Sequence, residues 1–295
     1  MLKPDWIAVD WGTSNMRAWA MSASGTVLDE VRSDRGMGSL KPAEFEQALR
    51  DAIAPWDHKG APMIACGMVG AKQGWMEAPY AAVPCAATPE GFTKPDAGDL
   101  DVYIIAGLKQ ADPADVMRGE ETQIAGFLSM NKNWDGVICL PGTHTKWAHI
   151  SADEVVSFQT YMTGDLFAAI SGNTVLKHSV NSDDWDNDAF DGGVADAMAR
   201  PERLAARLFS LRAEGLLNGM QNGTAKARLS GLLIGAELAG AKPYWLGQQV
   251  AVIGAGGLCS LYVRALAAQS APATQVKGDA ITLAGLTAAF KRLKG

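Results

Sequence analysis

Two stretches of this chain carry residue types suited to holding phosphate. Between Trp6 and Trp19 an apolar, β-branched run ends at Asp10, gives way to Gly12, Thr13, Ser14 and Asn15, and resumes as apolar residues from Met16. That pattern is strand, tight turn, strand. Glycine lets the main chain approach an anion closely, and neighbouring amides and hydroxyls supply donors. A carboxylate beside a phosphate repels it unless a cation lies between them, so Asp10 points to Mg²⁺, held directly or through water. The same residues also fit a plain hairpin whose Asp10 caps its own turn. A second copy favours the phosphate reading. Gly136 to Ile150 repeats the strand, a Gly142-Thr143 turn followed by His144, Thr145 and Lys146, then Trp-Ala in a second strand. Two such bends imply two related domains that grip one phosphate group from opposite sides.

Three further clusters have chemical potential, each with a plainer reading beside it. Residues 67–80 gather Gly70, Lys72, Gln73 and Trp75 into one loop at a strand end. Lys72 and Gln73 can hydrogen-bond hydroxyls and a carboxylate and Trp75 offers a flat wall, or the loop is a lid that uses Trp75 for packing. Arg118 beside Glu120 and Glu121 is either part of a binding site or a surface ion pair contributing about 0 to 1 kcal/mol. Thr163-Gly164-Asp165 opens a helix, where an acid is favoured by the helix N-terminus alone. Late in the chain, Gly254, Gly256 and Gly257 stand between a strand and a helix, where close backbone approach can border a nucleoside. Too little chain follows them for the strands of a dinucleotide-binding domain.

The elements that must position these residues are an alternation of strands and helices. Third strands follow each hairpin at residues 26–31 and 154–159, and a helix at 41–54 has Phe45, Leu49 and Ile53 on one face. A strand is expected at 63–66, another at 101–106, and a helix opening near Arg118 and running through Leu128. Residues 181–193 read as an acidic loop, 193–212 and 225–241 as helices, 249–253 as a strand, 258–268 and 279–292 as helices. A length of 295 residues suits two domains, with the expected boundary giving residues 1–110 and 111–295. Hydrophobic residues at 48% and charged residues at 20% mark an ordinary globular chain. A net charge of −6 lacks the basic face that nucleic acid demands. No uncharged stretch reaches membrane-spanning length, and no secretory signal is read at the N-terminus, so a cytoplasmic location is expected. Cys66, Cys85, Cys139 and Cys259 are scattered, as reduced thiols are.

The duplicated hairpins and late glycines resemble the superfamily of sugar kinases, heat-shock chaperones and actin. Within it the chain is similar to the 2-dehydro-3-deoxygalactonokinase family. The resemblance rests on Val9 to Asn15 with Arg17, Cys66 to Gly70 with Gln73 to Trp75, Arg118 to Gln123, Pro141 to Trp147, and Met162 to Gly164, in that order along nearly the whole chain. It implies an α/β fold of two ribonuclease H-like domains, each on a βββαβα plan, with a cleft between them and the last helix returning to the hinge. It implies ATP and Mg²⁺ as cofactors and a small sugar acid as partner, 2-dehydro-3-deoxy-D-galactonate, phosphorylated at its 6-hydroxyl in galactonate breakdown. Gly12, Thr13, Ser14, Gly142, Thr143, His144 and Thr145 are then expected on the phosphates, and Gly254, Gly256 and Gly257 at the adenosine. Gly70, Lys72, Gln73, Trp75, Arg118 and Glu120 are expected at the sugar, and Asp10 at the metal. Many sugar kinases carry an Asp two residues before the glycine of the second hairpin, Gly142, where this chain has Leu140. The general base is therefore open among Asp10, Glu120, Glu121 and Asp165, with Asp165 favoured. Another 2-keto-3-deoxy acid or small polyol as substrate, or a non-catalytic protein that closes on ATP, fits the same residues. The sequence sets no oligomeric state.

Overall fold

A computed structural model describes residues 1–295. Its first strand, β1 (Trp6–Trp11), shows why the sheet holds together. Successive side chains of a strand point to opposite faces, so Ile7, Val9 and Trp11 enter one core while Trp6 and Ala8 enter another. Such a strand is buried on both faces. β2 (Met16–Met21) and β3 (Val27–Ser33) follow it antiparallel, and α1 (Phe45–Ile53) covers the first core with Phe45, Leu49 and Ile53. β4 (Pro62–Gly67) returns parallel to β1. β5 (Tyr80–Ala82), β6 (Cys85–Ala86) and β7 (Phe92–Thr93) are short. β8 (Asp101–Ile105) lies parallel to β4. β9 (Gly107–Gln110) and β10 (Asp115–Met117) join β5 in a small separate sheet, and α2 (Glu120–Met130) follows.

The plan then repeats with β11 (Gly136–Leu140), β12 (Thr145–Ser151) and β13 (Glu154–Tyr161). Helices α3 (Thr163–Asn173), α4 (Asn187–Ala199), α5 (Leu204–Asn218), α6 (Asn222–Gly240) and α7 (Lys242–Trp245) come next. β14 (Val250–Gly254), α8 (Gly256–Ala267), β15 (Ala273–Lys277) and α9 (Gly278–Lys294) complete the chain. The first large sheet runs β3-β2-β1-β4-β8, with β7 at its edge, and the second runs β13-β12-β11-β14-β15. Read from the third strand inward, both give the order 3-2-1-4-5, so the duplication expected from the two hairpins extends to whole ribonuclease H-like sheets.

By internal contacts the chain forms two units, residues 1–135 with 150–157 and 278–295, and residues 136–149 with 158–277. The boundary at residue 110 read from the sequence differs from this division. α2 and α9 belong to the first unit, where glycines let their backbones touch. A Cβ on Gly126 would stand 1.9 Å from the Ile281 carbonyl oxygen, and one on Gly285 would stand 1.9 Å from that of Thr122. α9 also covers the second face of the first sheet, with Phe290 stacked on Trp6 at 4.4 Å between ring centres. In the second unit α6 crosses α4 in the same way, Gly231 against Phe190 and Gly235 against Val194. The helix expected at 193–212 is two helices, because Asp186 caps α4 through the amides of Asp188 and Ala189 and Pro201 interrupts the run. No helix is long and apolar enough to cross a membrane. All four cysteines are free thiols.

Candidate active site

In the first unit the β1–β2 turn is closed by a hydrogen bond from the Gly12 amide to the Asn15 carbonyl, 2.9 Å. Its own carbonyls are engaged: Gly12 O accepts from Met37 N at 3.0 Å and Thr13 O from Gly38 N at 2.8 Å. A Cβ on Gly36 would come within 2.2 Å of the Ser14 backbone, so only glycine allows this packing. Thr13, Ser14 and Asn15 remain exposed. Asp10 pairs across the hairpin with Arg17, whose Nη2 donates to Oδ2 at 2.7 Å while Nη1 donates to Asp279 Oδ1 at 2.5 Å. Burial opposes the charge on Arg17, but these two carboxylates outweigh it and raise its pKa. The other Asp10 oxygen meets only the Cys66 thiol, at 3.7 Å. No three His, Cys, Asp or Glu side chains gather as a metal cage. Mg²⁺ normally keeps its waters and phosphate oxygens and takes one or two carboxylates, so the donor set at Asp10 fits that ion.

The loop 67–80 is stapled down in the same unit. Arg118 Nη2 donates to the Ala78 carbonyl at 2.7 Å, Nε reaches Tyr80 Oη at 3.4 Å, and the guanidinium lies 4.2 Å from the Tyr80 ring centre. Gly70 is a packing glycine, since a Cβ there would meet Arg118 Nη1 at 2.9 Å and Ile104 at 2.8 Å. Trp75 packs on Trp11 and Phe45, with ring centres 6.4 and 6.3 Å away. Lys72 and Gln73 stand exposed on the loop. Glu120 accepts from the Arg118 amide at 3.1 Å. Glu121 has no exposed surface and accepts from the Gly119 amide at 2.6 Å and from Thr122 Oγ1 at 3.0 Å. Burial first, and then the charge of Glu120, push its carboxyl up to about 7.

In the second unit the Gly142-Thr143 turn is braced by the start of α3. A Cβ on Gly164 would strike the Gly142 carbonyl at 2.4 Å, and the Asp165 amide donates to Thr143 O at 3.0 Å. The Asp165 carboxylate pairs with His144 Nε2 at 2.9 Å, both side chains partly exposed. Thr145 is fully buried and shares a 3.0 Å hydrogen bond with Tyr262 Oη. Lys146 is 5% exposed, with Nζ 3.4 Å from the His144 carbonyl. Beside this turn opens a cavity of about 480 Å³. Gly142, Thr143 and Gly164 border it, and Phe167, Trp185, Leu233, Ile234, Leu258 and Tyr262 supply much of its wall. Its volume and largely apolar lining suit a small molecule with one flat, weakly polar part.

The model of the 2-keto-3-deoxy-galactonokinase family matches residues 10–289. The chain belongs to that family. Among its relatives, a protein of Rhizobium meliloti (strain 1021) named a probable 2-dehydro-3-deoxygalactonokinase is 40% identical, over 97% of this chain and 96% of its own. The 2-dehydro-3-deoxygalactonokinase of Escherichia coli (strain K12) is 32% identical over 95% and 96%. A crystal structure from Sinorhizobium meliloti, named as a candidate 2-dehydro-3-deoxygalactonokinase, superposes with a TM-score of 0.93 at 39% identity, covering 98% of this chain and 99% of that one. The activator of 2-hydroxyisocaproyl-CoA dehydratase from Clostridium difficile, 12% identical with a TM-score of 0.54 over 98% and 95% of the chains, shares the two-domain fold alone. As a member of this family the chain is a carbohydrate kinase.

Several residues expected at the ligands of this kinase are engaged with the residues around them. Thr145 faces Tyr262 and not solvent, because this part of β12 is covered on both faces, Thr145 to Ala148 all being buried. Gly70 and Arg118 build the 67–80 loop, and Trp75 joins the first core. Glu121 is fully buried, with its carboxylate turned to the Gly119 amide and Thr122. Gly254, Gly256 and Gly257 frame the start of α8 without walling the cavity; a Cβ on Gly256 or Gly257 would meet open space. The cavity wall was missed from sequence, although Leu258, Leu261 and Tyr262 follow helical spacing on one face of α8 and carried that signal. Trp185, read as part of an acidic loop, lines the same cavity.

Proposed function

We propose that this kinase transfers the γ-phosphoryl group of ATP to the 6-hydroxyl of 2-dehydro-3-deoxy-D-galactonate. The single observation that supports the nucleotide side is the cavity beside the Gly142-Thr143 turn, an apolar chamber for a base and ribose next to exposed donors for phosphate. Gly142, Thr143 and His144 hold phosphate oxygens there, and Asp165 keeps the His144 ring in place. In the first unit, Thr13 and Ser14 offer exposed hydroxyls and amides suited to phosphate, and Asp10 holds Mg²⁺. The ion, when bound, neutralises charge on the phosphates, which is most of what phosphoryl transfer asks of a protein. Arg17 is engaged by Asp10 and Asp279, so its part is to fix the Asp10 carboxylate. Lys72, Gln73 and Glu120 are the groups for the sugar acid, Lys72 for its carboxylate and the other two for hydroxyls.

The proton of the 6-hydroxyl has two candidate acceptors with exposed surface at the phosphate turns, Asp10 and Asp165. A loose transition state draws little on base assistance, which is compatible with Leu140 standing where many sugar kinases have Asp. The test is ADP release measured with a panel of 2-keto-3-deoxy acids and small polyols, with and without Mg²⁺. The expected result is Mg²⁺-dependent turnover with a kcat/KM for the galactonate derivative above that of its epimers. Equal rates on epimers would remove the substrate assignment. ATP binding without sugar-dependent turnover would leave a binding protein and remove the kinase activity.

A further inference from the structure

Behind the cavity of the second unit lies a buried carboxylate that no part of the reaction uses. Glu237 of α6 is 3% exposed. Its Oε1 accepts from Trp147 Nε1 of β12 at 2.8 Å. Its Oε2 accepts from Tyr262 Oη of α8 at 2.7 Å and from Thr163 Oγ1 at the first turn of α3. Tyr262 Oη is in turn linked to Thr145 Oγ1. One side chain thus joins the strand after the Gly142-Thr143 turn, the helix start that braces this turn, and the cavity wall, for Thr163 and Tyr262 both line the cavity.

We propose that Glu237 is the positioning residue of the nucleotide site, setting the Gly142-Thr143 turn and the Tyr262 wall through three hydrogen bonds without touching the nucleotide. A buried ionisable group is a poor way to hold a fold, since apolar residues of similar volume often serve as well or better. What the carboxylate adds is direction. Ionised, it accepts from all three donors, which fixes the Thr163 and Tyr262 hydroxyls. Protonated, it donates a hydrogen bond of its own, so one of the two hydroxyls on Oε2 must accept instead and turn its O–H elsewhere. Burial pushes its carboxyl up, against the hydrogen bonds from Thr163, Trp147 and Tyr262, to about 7. The titratable groups facing it are Tyr262 of α8, Cys139 of β11 and Tyr161 of β13. Burial raises each of them in turn, so they stay neutral through the neutral range. The change of charge is therefore Glu237's own.

This rests on the cavity being the nucleotide site, and the experiment separates the two. Wild type, Glu237→Gln and Trp185→Ala are compared by KM for ATP, KM for the sugar acid and kcat between pH 6 and pH 8.5, with thermal melting as a check of folding. Glutamine is isosteric but keeps a single acceptor oxygen, so Glu237→Gln should raise KM for ATP about tenfold at pH 8 and leave KM for the sugar acid unchanged. Wild-type KM for ATP should rise as pH falls through about 7, and that limb should vanish in Glu237→Gln. If Glu237→Gln melts earlier yet keeps the wild-type KM for ATP and its pH limb, the residue is structural and the proposal fails. If Trp185→Ala leaves KM for ATP untouched, the cavity reading fails, and the positioning role falls with it. A rise in Trp185→Ala with none in Glu237→Gln overturns the positioning role alone.

Discussion

Asp10 and Asp165 are the two carboxylates whose work substitutions can separate. Asp10 shares Arg17 with Asp279, so Asp10→Asn leaves the guanidinium paired and the hairpin intact while removing the charge that would attract Mg²⁺. The expected outcome is a fall in kcat of about 10² or more with a raised Mg²⁺ requirement and a melting temperature near wild type, checked by titrating Mg²⁺ in the ADP-release assay. Asp165 is different, because its carboxylate already holds His144. An amide oxygen can still accept from that ring, so Asp165→Asn should keep kcat within about tenfold of wild type if holding His144 is the whole role. A general base would contribute about 10² to 10⁴, so single-turnover measurements on Asp165→Asn and His144→Ala decide between the two. A loss within about tenfold in Asp165→Asn, with a larger one in His144→Ala, is the result expected here.

The crossings of helices on glycine make the strongest demand at the level of elements. Gly231 of α6 has no room for a side chain, since a Cβ would stand 2.1 Å from the Phe190 carbonyl. Gly231→Val must separate α4 from α6 and disturb the cavity wall carried by Leu233 and Ile234. A loss of at least about 1 to 3 kcal/mol is expected, read as an earlier denaturant midpoint and weaker nucleotide binding. Gly240→Ala meets only the far end of the Tyr161 side chain, its hydroxyl at 3.1 Å and ring edge at 3.2 Å, and should cost less. How much of this could be read beforehand follows the range of the forces. The hairpins, β4, β14 and most helices were legible because period and turn chemistry are local. The capping of α4 by Asp186 is a local signal too, but the acidic, aperiodic composition around it masks the helix start. Glu237 and Thr145 were not legible as a pair, because Tyr262, which joins them, lies 117 residues from Thr145. The role of Trp75 was open for the same reason, since only folding brings Phe45 beneath its ring.

For the whole molecule, each unit keeps one buried carboxylate near its site, and both act on stability with the same sign. Glu121 and Glu237 are each pushed up to about 7, in both cases chiefly by burial, from an ordinary value of 4.5. Between those two pH values the folded chain binds protons that the unfolded chain has released. Stability from these groups is therefore complete below about pH 4.5, declines as pH rises, and is gone above about pH 7. The slope is at most about 1.4 kcal/mol per pH unit for each group. Asp99, Asp186 and Asp191 are lowered by their hydrogen bonds and act in the opposite sense, but only at pH values below the ordinary 3.8. Between pH 8 and pH 5.5 the melting temperature should then rise on acidification, and less so in Glu121→Gln with Glu237→Gln. A melting temperature that rises with pH over this window would show that neither carboxyl is held protonated. The same proton that steadies the fold is the one proposed to loosen the nucleotide site, so ATP affinity and stability should move in opposite directions across pH 7. Glu237→Gln alone should uncouple them, flattening the affinity profile while Glu121 continues to shape the melting curve.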